Sequence, residues 1–367
     1  MTDSDNAALP ATHDLLARGM DRRAFMRIGL GAAGAGLAGA FLSACGTHGG
    51  TSKPAAGSSQ SLTPVSLQLV YLENTQFAGS YFAEVNGYYK QGGLAVTLLP
   101  GGPSIAPEPI VASGRALMGI THTNEAVQAI ANGAPLSIVG AGYQKNPFCL
   151  ISRASAPIDD PHAMIGKKIG VSISSQPIWL AFLKANGIDP RQIDVVTVQF
   201  DPTPLASVEI DGLIGFYTNE PIILETKGTP VHTFLLNDFG FPELEELYIV
   251  RSADLKDPAK LKLITALLRA ESMGWQQAVT NPSEAARLST YQFGKNLHLI
   301  YEQQVLEAKA QVALVTGPVT EKHGLFWMDP ADVDATLHSL SLGGVTGKSS
   351  MFTNQVLEAI YHGGTKP

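Results

Sequence analysis

From Val65 onward, short apolar runs alternate with longer segments whose apolar residues recur every three or four positions. That is the pattern of strands alternating with helices. Strands are expected at 65–72, 94–99, 116–121 and 136–141, then at 169–172, 195–199 and 213–216, and finally at 231–236 and 247–250. Helices are expected at 77–86 and 124–131. Another opens with Pro177, shows Trp179, Leu180, Phe182 and Leu183, and stops at Gly187. A long one opens on Asp257 and Pro258, aligns Leu261, Ile264, Leu268, Trp275 and Val279, and ends at Asn281-Pro282. The order predicts an α/β fold of two lobes around a central cleft, with ligand groups on the loops that follow strands. The polar stretch 152–165, with Pro157, Asp159, Asp160 and Pro161, is expected to cross between lobes. Lobe 1 is then 65–152 plus 233–367 and lobe 2 is 153–232, with helices at 282–291, 301–313, 330–340 and 354–361 covering lobe 1.

The front of the chain follows a different pattern. Arg22, Arg23 and Phe25 precede an uncharged Gly/Ala/Leu stretch at 28–44, and Leu42-Ser43-Ala44-Cys45 follows. This order is that of a twin-arginine lipoprotein signal peptide at 1–44, with Cys45 as the acylated first residue of the mature protein. The apolar stretch is shorter than the ~20 residues of a membrane span. Residues 46–64 are mostly Gly, Ser, Thr, Pro and Ala, so 45–64 reads as a flexible tether. The expected location is the outer face of the cytoplasmic membrane.

Composition narrows the function. With 45% hydrophobic residues, the 367-residue chain can bury a sizeable core. Its 32 acidic and 25 basic residues give a net charge of −7, against the basic excess that nucleic acid selects. Removing 1–44 takes away four arginines and four aspartates and leaves the charge unchanged. Two cysteines, Cys45 and Cys149, build neither a disulfide framework nor a multi-thiolate metal site. The nine histidines form no His-x-x-His or His-x-x-x-His pair, so no metal and no cofactor is expected. Residues 343–349 imitate a phosphate loop, but Leu342 stands where its first glycine is needed.

The loops after the expected strands carry amides, hydroxyls, acids and aromatic rings, with Lys145 as the exceptional base. The candidate ligand-binding residues are Asn74, Gln76, Phe77, Ser104, Thr121, Asn124, Gln144, Trp179, Tyr217, Asn219 and Glu220. Such groups suit a planar heterocycle, which stacks on rings and is fixed at its edges by hydrogen bonds. Glu220 leads because a carboxylate can take two hydrogen bonds from an exocyclic amine and a protonated ring nitrogen. At a helix start beside Pro221, it would equally complement the helix dipole. Asn74 fits an N-cap as well as a ligand contact, and His122 fits either a structural role or donation to a ligand. Backbone N–H groups of Gly101-Gly102 could approach a ligand or simply close a turn.

Tyr71-Leu-Glu-Asn-Thr-Gln-Phe-Ala-Gly79, Gly87-Tyr-Tyr-Lys90, Gly101-Gly-Pro-Ser104, Gly166-Lys-Lys-Ile-Gly-Val171 and Tyr217-Thr-Asn-Glu-Pro221, in that order, resemble the NMT1/THI5-like family. The resemblance runs from about 65 to about 286. It implies a periplasmic-binding-protein-like fold (type II) and a solute-binding lipoprotein of an ABC importer, delivering a small heterocycle of the thiamine-pyrimidine kind to a membrane permease, as a monomer. Riboflavin-like rings or sulfonate and nitrate are the alternative ligands within that resemblance. Its synthase members are implied to use a cysteine-rich segment, and this chain has none, so no enzyme is expected.

Overall fold

The computed structural model describes residues 61–102, 104–199 and 201–367. The expected signal peptide with Arg22 and Arg23, the lipidation site Cys45 and the tether up to 60 lie outside the described residues. Among the described residues there are ten strands: β1 (Thr63–Gln68), β2 (Leu94–Leu99), β3 (Met118–Thr121), β4 (Leu136–Tyr143), β5 (Phe148–Arg153), β6 (Lys168–Ser172), β7 (Asp194–Val198), β8 (Gly212–Phe216), β9 (Val231–Leu235) and β10 (Glu245–Arg251). They form two five-stranded sheets of the same plan, β2-β1-β3-β10-β4 and β7-β6-β8-β5-β9. In each, the first three strands are parallel and the fourth runs antiparallel between its neighbours. That fourth strand is the one the chain builds on arriving from the other sheet.

This topology corrects the expected crossing. β5 follows β4 after four residues and belongs wholly to the second sheet, so the chain crosses at 144–147 and returns before β10. The stretch 152–165 therefore lies within the second lobe. Ser152 suggested a loop, yet it is fully buried in β5, where its hydroxyl accepts from the Ile158 N–H (3.0 Å). A hydroxyl satisfied in this way is tolerated in a core.

Alternation along the antiparallel strands divides each core into two faces. In β10, Tyr248 and Val250 face one cluster with Leu67, Tyr81 and Trp275, while Leu247 and Ile249 face another with Val111, Val127 and Ile138. In β5, Leu150 joins Ile169, Trp179 and Phe182, while Cys149 and Ile151 join Leu205 and Leu224. Each such large side chain contributes about 1.5–3 kcal/mol by leaving water.

Behind the first sheet, helix Ala78–Val85 crosses helix Pro258–Thr280 at Gly79 and Gly274. A methyl on Gly79 would lie 2.1 Å from the Trp275 ring, and one on Gly274 would lie 2.0 Å from the Gly79 carbonyl oxygen. Only glycine permits this approach.

Helix Pro330–Leu342 departs from expectation by touching both lobes. Val333 and Leu340 pack into a first-lobe core, while Leu342 packs on the second-lobe cluster containing Trp179. Its Ser339 hydroxyl donates to the Pro242 carbonyl (2.8 Å), and Thr336 accepts from the Leu244 N–H (2.9 Å). Both partners lie on the returning segment of the crossing, just before β10. Asn146 ties the crossings together, its amide donating to the Phe241 carbonyl (3.3 Å) and Glu243 (3.0 Å).

Candidate functional site

The C-terminal ends of the parallel strands in both sheets converge on a cavity of about 510 Å³, within the size range of small-molecule sites. The segment after β1 supplies Tyr71, Asn74 and Gln76, and the end of β3 supplies Thr121, His122, Asn124 and Glu125. From the second lobe come Ser172 at the end of β6 with Ser174 and Ser175 after it, and Phe216 at the end of β8 with Asn219 and Glu220 after it. Phe148 stands at the outgoing crossing, and Glu243 and Glu245 stand at the returning one. Phe216 is central to the aromatic lining: its ring meets Phe148 edge-on at 5.3 Å and the His122 ring at 6.3 Å.

Glu220 opens helix Glu220–Thr226 and is 5% exposed. Its carboxylate folds back on the strand it follows, accepting from the Phe216 N–H (2.6 Å) and the Asn219 amide (3.0 Å). Gly215 makes room, since a methyl there would sit 2.9 Å from a Glu220 oxygen. Burial pushes the Glu220 carboxyl above its ordinary range, and those hydrogen bonds hold back part of the rise. Each oxygen retains a second lone pair.

Seven expected residues border the cavity: Asn74, Gln76, Ser104, Thr121, Asn124, Asn219 and Glu220. Asn74 also caps the turn that follows it, accepting from the Gln76 N–H (3.1 Å). Four expected residues lie elsewhere. Phe77 and Trp179 are buried in the two lobe cores. Trp179 occupies the inward face of its helix with Phe182 and Leu183, while Ile178 turns to the cavity. Tyr217 packs on the Cys149 face of the second sheet, as expected where neighbours in an extended chain point oppositely. Gln144 spends its amide on the Ala141 carbonyl (3.1 Å). The N–H groups of Gly101 and Gly102 are used too, donating to the Tyr71 (3.1 Å) and Val70 (3.2 Å) carbonyls of the segment after β1.

The expectations omitted an acidic run, Glu243-Leu244-Glu245-Glu246, which enters β10. Its signal was available: carboxylates intrude directly beside a strand's apolar alternation. Glu245 accepts from the Thr123 N–H (3.0 Å) and pairs with His122 Nδ1 (2.6 Å). Glu246 accepts from the Gln76 amide (2.5 Å). Burial alone would lower the His122 pKa, but the hydrogen bond and charge of Glu245, with Glu246 and Glu125 behind it, hold it at about 10. Burial, with the Glu245 charge, pushes the Glu246 carboxyl up to about 8 against the opposing pull of His122 and Gln76. His122, Glu245 and Glu246 each offer a ligand atom within 4.8 Å of the others. They could hold a metal ion, although these atoms already satisfy one another and Gln76. Among the described lining residues there is no lysine and no arginine.

Two lobes of matching strand order, with a ligand-sized cavity at their strand ends, define the periplasmic-binding-protein class of fold. The profile of the NMT1/THI5 like family matches residues 74–285, and the chain belongs to that family. It is 26% identical over 268 residues to the formylaminopyrimidine-binding protein of Halalkalibacterium halodurans, covering 71% of this chain and 79% of that one. It is also 26% identical over 293 residues to the riboflavin-binding protein RibY of Chloroflexus aurantiacus, covering 76% and 80%. A 4-amino-5-hydroxymethyl-2-methylpyrimidine phosphate synthase of Legionella pneumophila is 25% identical over 239 residues, covering 61% and 72%. The periplasmic aliphatic sulphonate binding protein SsuA of Escherichia coli superposes with a TM-score of 0.58 at 14% identity, over 76% of this chain and 87% of that one, a likeness of fold.

Proposed function

We propose that this protein is the solute-binding component of an ABC importer, holding a flat, amino-bearing heterocycle of the pyrimidine type between its lobes and releasing it unaltered to a membrane permease. One observation carries the reading: the cleft offers carboxylates, amides, hydroxyls and aromatic faces, with no lysine or arginine among its described lining residues. An amine and a protonated ring nitrogen need acceptors, whereas a sulfonate or nitrate needs cationic donors, so the fold likeness to SsuA does not extend to its ligand. Glu220 takes the amidine edge of the ring, with Asn219, Asn74, Gln76, Ser104, Thr121 and Asn124 around it and Phe216 and Phe148 against its faces. The formylaminopyrimidine-binding relative supports this choice of ring, and a flavin-like ring is the second reading, favoured by the RibY relative.

Binding without chemistry is the better account of this site. Cys149 is fully buried in β5, where burial pushes its thiol far up, so it offers no nucleophile. Export on the Arg22-Arg23 signal and anchoring through Cys45 complete the proposal. Native mass spectrometry of residues 46–367 identifies what co-purifies, and calorimetry with an aminopyrimidine compares the protein with Glu220→Gln. A loss of at least tenfold in affinity, ~1.4 kcal/mol, is expected; unchanged affinity removes Glu220 from the contact.

A further inference from the structure

We infer that the ligand carries a second nitrogen, positively charged and outside the ring, and that the acidic wall of the first lobe exists to receive it opposite Glu220. The inference rests on the heterocycle reading and narrows it to cationic members of that class. Glu108 and Glu125 stand in the first turns of the helices that follow β2 and β3, and Glu243 and Glu245 come from the returning crossing. All four border the same cavity as Glu220, and His122 is the one cationic side chain among the described lining residues.

The wall's hydrogen bonds leave a gap. Glu108 accepts from the Thr121 hydroxyl, and Glu245 is occupied by His122 and Thr123. Glu243 accepts the Asn146 amide on Oε2 (3.0 Å), yet its Oε1 has no partner among the described residues although the side chain is 5% exposed and borders the cavity. A buried carboxylate oxygen without a donor is costly, and a ligand ammonium would supply that donor. The space agrees, because a single six-membered ring fills well under half of about 510 Å³ and leaves room for an arm reaching from Glu220 to the first lobe.

Calorimetry on residues 46–367 tests this with three 4-amino-2-methylpyrimidines that differ only at carbon 5: aminomethyl, which is cationic at pH 7.5; hydroxymethyl, its neutral counterpart; and formylaminomethyl. The aminomethyl compound should bind at least tenfold tighter than the hydroxymethyl one. That preference should fall to less than threefold in Glu243→Gln, which keeps an acceptor for Asn146, and should shrink in Glu125→Gln, where the exposed side chain leaves folding undisturbed. Equal affinity for the three compounds overturns the inference and leaves the aminopyrimidine reading standing, whereas binding of none overturns both. Tighter binding of Zn²⁺ alone than of any of the three, abolished by His122→Ala, overturns it in favour of a metal centre at His122, Glu245 and Glu246.

Discussion

Glu245 governs the charge state of two neighbours at once, as the partner of His122 and as a like charge beside Glu246. The stability of the empty protein should follow. The folded His122 keeps its proton to about 10, against an ordinary value of 6.5. Its stabilising contribution is full below pH 6.5 and disappears as pH rises through about 10. Glu246 holds a proton to about 8 when folded but loses it at its ordinary 4.5 when unfolded, so it too favours the folded state less as pH rises across that interval. Both signs agree: the melting temperature should fall between pH 6 and pH 9.5, by roughly 4–8 °C for a loss of about 2 kcal/mol. Glu246→Gln should flatten the part of the fall below pH 8, and a melting curve of equal steepness in the variant would refute the assignment. At this scale the sequence displays chemistry better than direction. The amides and acids after the strands were readable as a class, but Tyr217 and Asn219 differ only in which way the chain turns them. Trp179 is likewise assigned by a helix face whose neighbours are visible only in three dimensions.

Among the elements, the positions of nine strands and of the principal helices follow from periodicity and caps. Asp257 caps its helix through the Ala259 and Lys260 N–H groups, as its place before Pro258 implies. β5 escaped because it is a short apolar run directly behind another strand, with no helix between them to mark a boundary. Amphipathicity identifies a buried face on helix Pro330–Leu342 without identifying that both lobes bury it. The glycine crossing of the two helices behind the first sheet was invisible for the same reason, and it yields a sharp expectation. Gly274→Ala puts a methyl into a backbone carbonyl that no side-chain rotation can relieve, at a cost of about 3 kcal/mol. Chemical denaturation should show the midpoint shift, and a variant as stable as the parent would mean that the helices can part without penalty.

For the whole molecule, the proposed importer role requires the protein to be held beside a permease. On the proposed anchoring through Cys45, Cys45→Ala should move the protein from the membrane fraction to the soluble fraction, and an unchanged distribution would refute the anchor. Arg22→Lys with Arg23→Lys should leave it inside the cell; export of that double variant at the normal level would assign it to another route. The crossings carry a separate consequence. Tyr143 at the end of β4 and Glu245 at the start of β10 are register partners on adjacent antiparallel strands, the geometry of a hairpin whose turn has been opened. Everything from β5 to β9 is inserted there as one continuous piece, its two ends brought together by Asn146 and Asn237. The first lobe is thus a host domain that could be reclosed with a few turn residues, and the second is a guest whose neighbouring termini suit it to expression alone or to exchange for another insert with different ligand contacts.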